Sequence, residues 1–194
     1  MKTVAAVFPS LKEAGDSCID LEHIGVPRES ISLIAGNEAS LHDEYLEKSR
    51  KASTSTEAAV ASNAAFGGGM GIVAMLIALA IPGVGPIVAL GPLLTVLAAM
   101  GFGAAAGGLI GAFHNMGISH EEAPLYEEAV RRGAVMVAAS VGEQFEVQAV
   151  AALRRHGARD VRDEADTWGR SGWSGPAHDP HPYVSDSTKK SVLI

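Results

Sequence analysis

From Ala58 to Phe113 the chain carries no aspartate, glutamate, lysine, arginine or histidine. Fifty-six uncharged residues in a row are too many to lie on an ordinary water-exposed surface, so they must be buried, in a bilayer or in protein. The rest of the chain is polar and acidic. A net charge of −7 coexists with a positive mean hydropathy of +0.19 only because the apolar residues are concentrated in the middle.

A bilayer is the first environment that the stretch suggests. One apolar helix of about 20 residues crosses a hydrocarbon core, and there is room for two. "PGVGP" (Pro82 to Pro86) reads as the turn of a helical hairpin, with Pro82, Gly83, Gly85 and Pro86 as turn residues. The arms would run near Val60–Ile81 and Pro92–Phe113, and Pro92 suits a helix first turn. Ala99, Gly103, Gly107 and Gly111 recur every four residues, as do Gly67 and Gly71. Small residues at that spacing let helices approach closely, so these six positions are the candidate helix-packing site. Burial between subunits is the competing environment. The first arm opens with the weakly apolar "AVASNAAFGGG", and no aromatic belt marks either boundary.

The flanks read as two related units. "KTVAAVF" is a short strand, and Ser10 with Glu13 forms a capping box at the start of a helix. Leu11, Ala14, Cys18 and Leu21 recur at helical spacing. Gly25 stops the helix with Pro27 just beyond, and "ESISLIAG" is the second strand. In the later unit "GAVMVAAS" is a strand, and Ser140 with Glu143 repeats the capping box. "EQFEVQAVAALRRHG" is an amphipathic helix ending at Gly157, and "ARDVRDEA" is a polar edge strand. The corresponding features point to an internal β-α-β repeat. Two such halves forming one antiparallel sheet with helices on one face give the ferredoxin-like arrangement.

The expected fold is therefore α/β (α+β): a ferredoxin-like repeat, a long apolar helical hairpin inserted between its halves, and a flexible tail. The segments are 1–37, the first half; 38–57, a polar linker; 58–113, the hairpin; 114–165, a charged helix and the second half; and 166–194, the tail. The acidic balance argues against nucleic acid, which needs a basic stripe. "TVAAVF" is too short for a signal-peptide core.

Catalytic and metal-binding motifs are weak. Cys18 is the sole cysteine, which makes a reducing compartment the default, and on an apolar helix face it reads as a structural thiol. "GFGAAAGG" (Gly101 to Gly108) resembles a dinucleotide fingerprint but lacks the strand and α/β repeat that the motif needs. His114, His120, Glu121 and Glu122 carry metal-ligand chemistry without a fixed helical pair and third ligand. The same holds for His178 and His181. Glu127 with Arg131, and Glu128 with Arg132, are i,i+4 pairs that support a helix. The terminal "SVLI" has the apolar character of a segment that adds to a partner's sheet edge.

Taken together, "TVAAVFPSLKEAGDSCIDLEHIGVPRESISLIAG", the polar linker, the glycine-rich "AIPGVGPIVALGPL" and "GISHEEAPLYEEAVRRGAVMVAASV" resemble the bacterial general stress protein 17M-like group over residues 2–165. The resemblance rests on segment order and the "PGVGP…GP" insert. It implies an α/β domain with a hydrophobic glycine-rich insert and a link to stress responses, and it implies no enzymatic activity.

The resulting expectation is a non-enzymatic stress-associated protein of the bacterial inner membrane. Its hairpin inserts in the bilayer and its α/β domain self-associates in the cytoplasm. The partners are other copies of the chain and membrane lipid; no cofactor, metal or nucleic acid is expected. The alternatives are a cytoplasmic oligomer or filament with the hairpins buried between subunits, and a small-ligand or nucleotide-binding module.

Overall fold

The structure is a computed structural model that describes residues 1–36, 77–81, 85–99, 108–173, 175 and 192–193. It is a mixed α/β fold. In chain order the elements are β1 (Lys2–Phe8), α1 (Leu11–His23), β2 (Ile31–Gly36), β3 (Ile77–Ile81), β4 (Gly85–Leu90), α2 (Pro92–Ala99), α3 (Gly108–Asn115), α4 (Ala123–Arg131), β5 (Val135–Val141), α5 (Glu146–Arg155), α6 (Val161–Arg170) and β6 (Val192–Leu193). The strands form one sheet in the order β3-β4-β2-β5-β1-β6. Every pairing is antiparallel except β1 with β6, which is parallel.

β5 lies between β1 and β2, from Lys2↔Val141 to Phe8↔Val135 on one side and from Ile31↔Ala139 to Ala35↔Val135 on the other. These strands are apolar at almost every position instead of alternating with polar residues. That is the signature of a sheet covered on both faces, and both faces are covered. Val4, Ala6 and Phe8 of β1 pack with Leu11, Ala14, Cys18 and Leu21 of α1 and with Ala149, Ala152 and Leu153 of α5. Ala5 and Val7 point the other way, into a second core. That core contains Leu93 of α2, Leu109, Ala112 and Phe113 of α3, Tyr126 and Ala129 of α4, and Val161 and Trp168 of α6. The helices therefore occupy two layers, not the single layer expected.

The uncharged stretch supplies much of the second layer and two strands of the sheet. Among the described residues no helix is long and apolar enough to cross a membrane. The membrane-inserting helical hairpin is corrected accordingly: Ile77–Ile81 and Gly85–Leu90 form a β-hairpin, paired from Ile77↔Ala89 to Ile81↔Gly85. The inner-membrane placement rested on those helices and loses its support with them. The physical reason lies in segment length. Proline and glycine cut this part of the stretch short: ten residues lie between Gly71 and Pro82, four between Pro86 and Gly91 and eight between Pro92 and Gly101, all well below the about 20 that a spanning helix needs. Pro92 does open a helix, as expected.

The turn between β4 and α2 depends on Gly91, whose φ is +80°. A Cβ there would lie 2.0 Å from the Ile31 carbonyl oxygen, so only glycine fits. Ser10 caps α1 as expected, accepting a hydrogen bond from Glu13 N at 3.3 Å. The second capping box does not form. Ser140 stays in β5 opposite Thr3, a short 3-10 turn over Glu143–Phe145 precedes α5, and ladder pairing overrides the local capping signal. The polar strand expected over residues 158–165 is also absent. One bridge, Val7↔Arg159, remains of it, and α6 begins immediately afterwards with Asp160 as its cap. Residues 166–170, assigned above to a flexible tail, belong to that helix.

Candidate functional site

β3 stands at one end of the sheet, and among the described residues no strand pairs with its outer side. Its sequence is "IALAI". Backbone N–H and C=O groups along an edge strand are a template for another strand, and natural proteins usually blunt such edges with charge, proline or a bulge. β3 carries neither a charge nor a proline, and the nearest prolines are Pro82 and Pro86 in "PGVGP". Its inner side is held by β4. Ile87 and Ala89, which face Leu79 and Ile77, are buried in the second core. β4 in turn pairs with β2 from Leu33↔Leu90 to Gly36↔Ile87, so the edge is mounted on the centre of the fold.

The helix-packing residues proposed from the sequence are not brought together as one stripe. Gly67, Gly71, Gly103 and Gly107 lie outside the described residues. Ala99 is the last residue of α2, and Gly111 is in α3. Of the turn residues, Pro82 and Gly83 lie outside the described residues, whereas Gly85 and Pro86 are the first residues of β4 and pair with Ile81 and Ala80. "GFGAAAGG" also lies outside, except Gly108 at the start of α3. His178 and His181 are not among the described residues.

The charged constellations form stacks and ion pairs within the fold. His114 and His120 stack, with ring centroids 3.7 Å apart. Glu122, only 2% exposed, accepts from Arg162 at 2.9 Å, and Arg162 also lies 4.0 Å from Glu121. Among the described residues no group of three or more His, Cys, Asp or Glu is placed to hold a metal ion. Tyr126 is buried, and among the described residues its hydroxyl has no hydrogen-bond partner. Burial first, and then Glu122 and Asp160, hold that phenol well above its ordinary pKa, so it remains protonated. Glu128 takes both Arg131 and Arg132, and the i,i+4 pair with Arg132 forms at 2.6 Å.

Asp20 of α1 and His156, at the end of α5, are 2.9 Å apart. The hydrogen bond from His156 is the main cause that holds the Asp20 carboxyl below its ordinary range. A dyad of this kind can activate a side-chain nucleophile where one lies beside it. Cys18, the chain's one thiol, is pushed up to about 12, by burial first and then by Glu22. It is a thiol at neutral pH and is not poised for attack. An open groove lined by Arg154, Arg159, Asp160, Asp163 and Glu164 has mixed charge. In it, Arg159 pairs with Glu164 at 3.0 Å.

Sequence reasoning missed three features. Ser32 caps α2 across the fold and leaves no local signal. Arg132 lies over the Trp168 ring at 4.9 Å, and Trp173 packs edge-on against Trp168. α6 itself did have a signal: Asp160 ahead of Val161, with Asp163 and Glu164 in the first turn, is a helix-start pattern. Comparison of this chain with protein-family models, with curated proteins and with solved structures finds no significant match.

Proposed function

We propose that this chain is a non-catalytic assembly protein that self-associates through the uncharged β3 edge. The observation that carries the reading is an apolar edge strand, without charge or proline, that pairs with β4 on its inner side and, among the described residues, with no strand on its outer side. In this reading part of the uncharged stretch builds the subunit's own core, and its outermost strand faces a second copy. The core is ferredoxin-like at a finer level. The order β2-β5-β1, with α1 after β1 and α5 after β5, supports this, and the Arg159 bridge stands where the fourth strand would pair. A cytoplasmic setting accompanies the proposal, as the default for a chain with one unpaired thiol. A stress-associated role follows from the resemblance to the 17M-like group.

The test is light scattering of the full-length chain across a dilution series, beside an Ala78→Lys/Ala80→Lys variant. Lysine on an edge strand opposes pairing with another edge. The proposal expects an assembly that dissociates on dilution, and a variant of lower mass with unchanged circular dichroism. A monomer at every concentration, or an unchanged mass in the variant, would refute it.

A further inference from the structure

The opposite end of the sheet carries a second relationship. Val7 exchanges two backbone hydrogen bonds with Arg159, N to O at 3.2 Å and O from N at 2.9 Å. That closure stops after one bridge because Asp160 turns the chain into α6. Beyond that bridge the C-terminal segment adds a parallel strand to β1's outer edge, in the register Val4↔Val192 and Ala5↔Leu193. The acceptor edge and the added segment match in character: Val4 and Ala5 are buried, and the added residues, Val192 and Leu193, are apolar.

We propose that this β1 edge is a strand-acceptor site whose occupant, in the assembled protein, is the Val192–Leu193 segment of a second copy. Two paired residues are far fewer than an ordinary strand of about 5–6, so the contact within one chain is released easily. Eighteen residues separate Trp173 from Val192, an extended reach of about 60 Å. The same pairing is therefore open to the chain's own end and to a neighbour's, which is the condition for segment exchange. Being on the same chain raises the effective concentration of the chain's own segment at this edge. Exchange competes with that only where copies are held together, and in this respect the inference rests on the self-association proposed above.

Disulfide trapping in the full chain tests it. One copy carries Ala5→Cys and a second, co-expressed copy carries Leu193→Cys. The pair Val4→Cys and Val192→Cys probes the neighbouring register and serves if either of the first substitutions perturbs folding. Buried Cys18 does not compete. Met1→Cys with Leu193→Cys measures random collision, because Met1 is 95% exposed. The proposal expects oxidised dimers between the two copies severalfold above the collision level. Dimers at the collision level overturn exchange, even if single chains bearing both cysteines close on themselves. Failure of those single chains to close overturns the β1 site as well. Light scattering of the same samples separates these failures from a failure of self-association, since an oligomer without trapped dimers leaves the β3 reading standing.

Discussion

Ser32 and Leu93 are joined by a hydrogen bond of 3.1 Å, in which the Leu93 backbone N–H donates to the Ser32 hydroxyl. A residue of β2 thus caps α2, a helix within the uncharged stretch, sixty-one positions away in sequence. The bond is buried, with Ser32 at 1% exposure, so removing the hydroxyl leaves a donor without water or a partner. Ser32→Ala is expected to lower stability by about 1–2 kcal/mol, read as a lower urea midpoint at unchanged slope. An unchanged midpoint would mean that α2 does not dock on β2 in this way.

Trp168 makes a second connection between distant segments. It packs in the second core at 9% exposure, beneath the Arg132 guanidinium. Trp168→Ala is expected to cost about 3 kcal/mol, most of it from lost packing. A change within about 0.5 kcal/mol, typical of surface positions, would return residues 166–173 to the flexible tail.

Cys18 provides a probe that needs no substitution. Its thiol is pushed up to about 12 by burial and then by Glu22. A thiol-specific reagent at pH 8 should therefore label it only as fast as α1 opens from the sheet, and should label it at once in denaturant. Rapid labelling of the native protein would contradict the packing of α1 against β1.

Asp20 gives a pH dependence whose sign follows from its lowered pKa. A carboxyl held below its unfolded value contributes stability that is complete above that value, about 3.9, and is lost as pH falls through the folded value. The contribution is about 1 kcal/mol for a partly exposed group. The wild type should therefore lose stability relative to Asp20→Asn as pH falls below about 4, while Asp20→Asn is the weaker of the two at pH 6. Parallel pH profiles for both proteins would show that His156 does not hold the carboxylate.

The elements that were legible in the sequence carry local signals. β1, α1, β2 and β5 announce themselves through β-rich runs, the Ser10 cap and the stop at Gly25. The stop at Gly157 likewise marks the end of α5. The uncharged stretch was misread because absence of charge is common to membrane helices and to strands buried on both faces. What separates them is the length between breakers: Gly71 and Pro82 enclose ten residues, and Pro86 and Gly91 enclose four, against about 20 for a spanning helix. The apolar pattern of β1 and β5 on both faces already implied a second helical layer, which the ferredoxin-like template did not provide. Ser32 capping α2, and Arg132 over Trp168, join residues 36 or more apart. No local pattern encodes such contacts.

The central claim is that the uncharged stretch is part of the subunit's own sheet. Hydrogen exchange of the full-length chain in detergent-free buffer tests it most directly. β4 lies between β3 and β2, so its amides from Ile87 to Leu90 should be protected to the same degree as those of β2 from Ser32 to Ala35, and should open in the same cooperative unit. Exchange of the β4 amides at the rate of an unstructured segment, while β2 and β5 remain protected, would contradict the account.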